Sequence, residues 1–160
     1  MGTMVYLSLG SNIGDREHFL RDAIARLENY GRVRAVSHLY ETEPIAVIGQ
    51  AWFLNCAVTM ETAATPAQLM AHLLGIEQAM GRVRTQAKGP RTIDIDILLF
   101  ADVVVNTPTL TIPHPEMHKR RFVLEPLEEI AAEARHPALG KTIRELLEEL
   151  PAGQTVIRKG

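Results

Sequence analysis

Thr92-Ile93-Asp94-Ile95-Asp96-Ile97-Leu98-Leu99-Phe100 alternates apolar and acidic residues before closing on an apolar run, the pattern of a β-strand with one face against a core. Side chains alternate faces along a strand. Ile93, Ile95, Ile97 and Leu99 are therefore expected to face the core, with Asp94 and Asp96 together on the other face, about 6.5–7 Å apart. Two like charges at that spacing repel unless something positive lies between them. A divalent cation meets that need: magnesium binds oxygen ligands, commonly uses one or two protein carboxylates, and fills its remaining positions with water and substrate phosphates. The residues alone leave open a plainer alternative, in which each aspartate pairs with a neighbouring arginine and completes a sheet face.

Just before this strand stand Arg82, Arg84, Lys88 and Arg91, and after the next irregular stretch come His114, Lys119, Arg120 and Arg121. Guanidinium groups bind phosphate oxygens through paired hydrogen bonds, so basic clusters on both sides of an aspartate pair suggest a polyphosphate held between metal and arginine. A solvated basic loop is the ordinary meaning of either cluster by itself. Gly10-Ser11-Asn12-Ile13-Gly14 lacks the lysine and spacing of a phosphate loop, so any ATP must bind by another route and Gly10–Asp15 reads as a turn and helix cap. His114-Pro115-Glu116-Met117-His118 fails as a zinc motif, because the glutamate does not directly follow the first histidine and prolines interrupt the segment. His114 is expected to donate to phosphate, and His118 to be exposed.

Outward from this centre, Met4–Leu9 reads as a first strand and residues 15–30 as a helix with Phe19, Ala23, Ile24 and Leu27 on one face. Strands are expected at 33–39 and 53–62. Thr65-Pro66-Ala67-Gln68 has the form of a helix start, with Leu69, Leu73, Ile76 and Met80 as the buried stripe. Residues 106–115 read as irregular, helical patterns return at 120–132 and 142–149, and 151–160 reads as a surface tail. The order is βαββαβ with a helical C-terminal extension, an α+β fold of the split-βαβ, ferredoxin-like kind with a mainly antiparallel sheet.

Composition limits the partners. The 160 residues are 46% hydrophobic and 22% charged with a formal net charge of −2, which fits one globular domain over 1–160 and gives no overall basic surface for nucleic acid or anionic membrane. A single cysteine, Cys56, lies in an apolar run and is expected to be buried as a small hydrophobe in a cytoplasmic protein. No apolar stretch approaches the ~20 residues of a membrane helix. The 40–55 stretch mixes hydroxyl, amide and aromatic groups, so Phe53 and the later Phe122 are candidates to stack on a flat heteroaromatic ring while Thr42 and Asn55 read its polar edge. Ordinary core packing is the competing reading for each phenylalanine.

Four stretches in order, Tyr6-Leu7-Ser8-Leu9-Gly10-Ser11-Asn12, Phe53-Leu54-Asn55, Gly89-Pro90-Arg91 through Asp94-Ile95-Asp96-Ile97-Leu98, and Pro113-His114 with Arg120-Arg121-Phe122, resemble the 6-hydroxymethyl-7,8-dihydropterin pyrophosphokinases of folate biosynthesis. The resemblance implies a ferredoxin-like fold and transfer of the terminal diphosphate of ATP to the pterin hydroxymethyl group, releasing AMP, with two magnesium ions. It implies that Asp94 and Asp96 hold both ions and that Arg82 and Arg91 act with them in catalysis. Arg82, Arg84, Arg91, His114 and Arg120 would lie along the nucleotide and its phosphates, with Ile97 and Thr111 beside it and Glu77 in support. Thr42, Pro44, Ile45, Phe53, Asn55 and Phe122 would hold the pterin, the two rings enclosing it. A monomer acting on ATP and pterin, with neither nucleic acid nor membrane as partner, is the corresponding expectation. The chain departs from some members in carrying Lys88 for tryptophan, Thr109 for arginine, Phe53 for tyrosine, and a shorter 84–89 segment. Two other readings remain beside it: a ferredoxin-like ligand- or RNA-binding module, against which aspartates on a central strand argue, and a metal-dependent phosphohydrolase that would need no pterin pocket.

Overall fold

The computed structural model describes residues 2–43, 52–81 and 92–159. Strand β1 (Thr3–Ser11) leads to helix α1 (Arg16–Leu27), then β2 (Arg32–Val36), β3 (Leu39–Thr42), β4 (Phe53–Thr62), α2 (Pro66–Ala79) and β5 (Asp94–Phe100). A short hairpin of β6 (Val105–Thr107) and β7 (Leu110–Ile112) follows. The chain then runs through a 3-10 turn at Met117–Lys119 into α3 (Arg121–Ala131), the two-residue strands β8 (Arg135–His136) and β9 (Lys141–Thr142), α4 (Ile143–Glu148) and β10 (Val156–Lys159).

Helix starts follow the side-chain chemistry at their ends. Asp15 accepts a hydrogen bond from the His18 N–H at 3.1 Å and opens α1. Thr65 and Gln68 cap one another reciprocally at the start of α2, with Pro66 in the first turn, so backbone N–H groups that a helix leaves unpaired are satisfied locally. The buried positions of α1 are Leu20, Ala23 and Leu27; Phe19 and Ile24, expected on that face, are only half-buried.

The main sheet runs β10-β3-β4-β1-β5, with β2 also pairing with β4, and its pairings are antiparallel. The predicted strand 33–39 is in fact two: β2 and β3 follow one another along the same edge of β4. Between them Ser37 turns its hydroxyl to the backbone, accepting from the Ala57 N–H at 2.9 Å and donating to the His38 carbonyl at 2.7 Å. Two cores sandwich this sheet. One gathers Val5, Leu7, Leu9, Leu54, Cys56, Val58 and Met60 with α1 and α2, and the other gathers Ala57, Leu98 and Leu99 with α3 and α4. Burial pushes the Cys56 thiol up to about 12, so it is an inert packing group.

Three further expectations differ from the structure. Leu99 does not share a face with Ile93, Ile95 and Ile97. Leu7 pairs with Ile97 but Tyr6 pairs with Leu99, so Leu98 is an extra residue in β5, and this bulge turns the rest of the strand over. Ile93, Ile95, Ile97 and Phe100 face the first core, while Leu98 and Leu99 face the second. Residues 106–115 include the β6–β7 hairpin. The supposed tail 151–160 supplies β10, which pairs with β3 from Val156 opposite Thr42 to Lys159 opposite Leu39.

Gly31 makes the entry into β2 possible, because a Cβ there would run into the Glu61 carbonyl oxygen and come within 2.7 Å of Met60 Cε. Gly31→Ala is therefore expected to cost about 1–3 kcal/mol of unfolding free energy, measured by urea denaturation; an unchanged midpoint would contradict this close approach.

Candidate active site

Residues paired across adjacent strands project from the same face of a sheet. The register pairs Asp94 with Gly10, Gly10 with Asn55 and Asn55 with Tyr40, and, in neighbouring rows, Asp96 with Ser8 and Phe53 with Thr42. Asp94, Asp96, Phe53, Asn55 and Thr42 therefore lie on one face, at one end of the sheet, on the side covered by α3 and α4. Asp94, Asp96 and Phe53 are partly exposed, whereas Asn55 is 4% and Thr42 1% exposed.

The geometry explains why Gly10 stands between an aspartate and an asparagine. A Cβ on Gly10 would collide with Asn55 Oδ1, so glycine lets the Asn55 amide lie flat across β1. From there Asn55 Nδ2 donates to Thr42 Oγ1 at 2.6 Å. That bond leaves the amide oxygen as an acceptor and fixes a donor–acceptor pattern beside the half-buried Phe53 ring.

Strand β5, expected to be central, is an edge strand whose outward backbone groups need partners. Glu77 Oε2, on a side chain 2% exposed, accepts from the Ile95 N–H at 2.8 Å. The His114 N–H donates to the Leu98 carbonyl at 3.0 Å. Glu77 thus anchors the residue between the two aspartates, and His114 is tied to the same strand further along. His114 Nδ1 accepts from the Glu116 N–H at 3.1 Å, which leaves Nε2 as the protonated, donating nitrogen of the neutral ring. Its pKa is lowered first by burial and then by the Arg120 charge, with Asp94 and Glu116 acting in the opposite sense. Asp94, His114 and Arg120 therefore share one electrostatic neighbourhood.

Arg120 precedes α3, with its guanidinium carbon 5.7 Å from the centre of the Phe122 ring, a cation–π contact. Phe122 packs against the second core, on the same side of the sheet as Phe53. A cleft of about 470 Å³ opens beside Lys119, Arg120 and Arg121, closed on its other side by Glu43 and residues 150–154. Thr111 is exposed on β7, and Ile97 is 3% exposed in the first core. The expected site residues Arg82, Arg84 and Arg91, with Lys88, and Pro44 and Ile45 lie outside the described residues.

His118 departs from its expected exposure. It is half-buried, its ring meets that of His136 edge-on at 6.3 Å, and its Nδ1 is buried without a hydrogen-bond partner among the described residues. Tyr40 was not anticipated. It is 6% exposed beside Asn55 and donates from its hydroxyl to Glu129 Oε1 at 2.7 Å, and burial and that carboxylate both raise its pKa. The signal for it was its place in the same alternating strand as Thr42. Among the described residues no group of three or more His, Cys, Asp or Glu side chains is arranged to hold a metal ion.

The fold and site are those of an α+β domain carrying two carboxylates, a neutral histidine and an arginine at one end of an antiparallel sheet. The model of the 7,8-dihydro-6-hydroxymethylpterin-pyrophosphokinase family matches residues 6–132. A 2-amino-4-hydroxy-6-hydroxymethyldihydropteridine pyrophosphokinase of Bacillus subtilis is 45% identical over 140 residues, covering 86% of this chain and 84% of that one. The folic acid synthesis protein fol1 of Schizosaccharomyces pombe is 42% identical over 151 residues, 93% of this chain and 21% of that one, so the chain spans about a fifth of that longer relative. Among solved structures, a wild-type HPPK-DHPS of Plasmodium falciparum superposes with a TM-score of 0.75 at 18% identity, over 93% of this chain and 45% of that one. That likeness speaks for the fold. The chain belongs to the 7,8-dihydro-6-hydroxymethylpterin-pyrophosphokinase family.

The Gly10–Asn55 contact gives a direct test. Gly10→Ala is expected to lose about 1–3 kcal/mol of stability, and adding Asn55→Ala should recover part of it, because the second change removes the group struck. Strictly additive losses in this double-mutant cycle would contradict the packing described.

Proposed function

We propose that this chain transfers the terminal diphosphate of ATP to the hydroxymethyl oxygen of 6-hydroxymethyl-7,8-dihydropterin and releases AMP. The observation that carries the reading is the one sheet face on which Asp94 and Asp96 stand in register with Gly10 and Ser8, and through them with the Asn55–Thr42 pair and Phe53. That face offers a carboxylate end for a metal–phosphate group and an amide–hydroxyl–aromatic end for a flat heterocycle.

Two carboxylates on one partly exposed face suit magnesium, whose remaining ligands come from water and phosphate oxygens. Asp94 and Asp96 would hold two Mg²⁺ ions, which when bound neutralise the triphosphate and orient it for in-line displacement. The chain's own residues do the rest. Neutral His114 donates from Nε2 to a phosphate oxygen, and Arg120, with Arg82, Arg84 and Arg91 from the preceding segment, neutralises the departing and transferred phosphates. Thr111 flanks the nucleotide, and Ile97, whose side chain is buried in the first core, offers it only its backbone on the β5 edge. Asn55 and Thr42 hydrogen-bond the pterin edge while Phe53 and Phe122 take its two faces, with Pro44 and Ile45 beside them. Glu77 acts from behind, through the Ile95 backbone.

The same reading takes the frame to be ferredoxin-like, supported by the order β5-β1-β4-(β2, β3) with α1 and α2 packed into one core. It takes 1–160 as one domain, supported by β10 joining the sheet that β1 begins. We read the enzyme as monomeric, as the family resemblance implies, and as cytoplasmic, supported by its one buried, unpaired cysteine; no helix among the described residues is long and apolar enough to cross a membrane.

Incubation of the protein with ATP, Mg²⁺ and the pterin is expected to yield AMP only when pterin is present. Asp96→Ala should lower the rate at least about a hundredfold, since metal stabilisation of phosphoryl charge supplies several kcal/mol. ADP as the product, or equal nucleotide cleavage without pterin, would instead favour a phosphohydrolase.

A further inference from the structure

Glu43 is held by the C-terminal segment through each of its polar groups. Its N–H donates to the Thr155 carbonyl at 3.2 Å, its carbonyl accepts from Gln154 Nε2 at 2.7 Å, and its Oε1 accepts from the Thr155 N–H at 2.6 Å. The strand pairing continues from there, with Val156 opposite Thr42. Thr42 is the residue whose hydroxyl fixes the Asn55 amide. On its other side the same segment meets the start of α3, where Arg121 donates to the Pro151 carbonyl at 3.3 Å and, more weakly, to the Leu150 carbonyl at 3.5 Å. Arg121 lies between Arg120 and Phe122. Residues 150–156 therefore span from the strand that presents Thr42 to the helix start that presents Phe122, and they lie beyond residue 132, where the family match ends.

We infer that Gln154 and Thr155, acting through Glu43, are positioning residues for the pterin side of the site. The inference rests on the proposed pterin reading and adds to it what sets the place of Thr42. An edge residue such as Glu43 would otherwise carry free backbone groups. Three hydrogen bonds to Gln154 and Thr155, which lead into the paired strand β10, give Glu43 one position. Thr42 and the Asn55 amide inherit it. Asp94, Asp96 and His114 gain nothing from this clamp, because they are fixed through Glu77 and β5 at the opposite edge of the sheet, and Arg120 adjoins the segment through Arg121, whose bonds go to the Leu150 and Pro151 carbonyls and not to Glu43 or Gln154. The clamp thus predicts a selective defect.

The test is steady-state kinetics with each substrate varied in turn, beside thermal melts, on wild type, Gln154→Ala, Glu43→Ala and Glu43→Gln. Gln154→Ala and Glu43→Ala each remove one hydrogen bond and are expected to raise KM for the pterin about three- to tenfold, with kcat and KM for ATP unchanged. Glu43→Gln keeps an acceptor oxygen at Oε1 and should behave as wild type. An unchanged pterin KM in both alanine variants would overturn the clamp, as would equal rises for both substrates accompanied by a lower melting temperature, the mark of a merely structural role. A wild-type enzyme that does not use the pterin at all would overturn the functional reading instead.

Discussion

One antiparallel register aligns Asp94, Gly10, Asn55 and Tyr40 in a single row across four strands, and the site is built on that row. Strand spacing is about 4.8 Å, so the register alone sets the distance from the carboxylate end to the amide end at roughly the length of a flat substrate with a short phosphate tail. A slip of one residue in β1 against β4 or β5 would send one end to the opposite face. The two cores prevent that slip, because the same shift would bring polar side chains of β1 and β4 into the layer formed with α1 and α2.

The polar bonds on this frame serve the edges. On one side Glu77 takes up the outward Ile95 N–H of β5 and the His114 N–H its Leu98 carbonyl. On the other, β3 is closed by β10, with Tyr40 and His38 both bonded to Glu129 of α3. Arg16 adds a third tie. It is bonded to Glu41 and, at 3.0 Å, to the Trp52 carbonyl, which joins the start of α1 to β3 and to the residue before β4. Such partly exposed ion pairs contribute about 1 kcal/mol or less. Their value lies in fixing where chain segments enter the site.

Much of this was legible in the residues. Alternating isoleucine and aspartate over 93–97 marked the face of the aspartate pair, and the Thr65–Gln68 cap and the apolar spacing of α2 read directly because both are local patterns. What escaped was non-local or irregular. Leu99 changed faces because of a bulge forced by pairing with β1, which β5's own sequence does not announce. Val156–Lys159 is too short and too polar to read as a strand, and it becomes one because β3 offers a free edge. His118 is covered by His136, distant in sequence. Glu77, named above only through the family resemblance, is also legible from position alone, since it extends the Leu73 and Ile76 stripe by one helical step and is a carboxylate where an apolar residue belongs.

The most direct test of this site is a crystal structure of the protein with Mg²⁺, a non-hydrolysable ATP analogue and 6-hydroxymethyl-7,8-dihydropterin. Metal density is expected against Asp94 and Asp96, and the pterin between Phe53 and Phe122 with its polar edge on Asn55 and Thr42. A pterin bound away from the Asn55–Thr42 pair, or phosphates seated far from both aspartates, would contradict it.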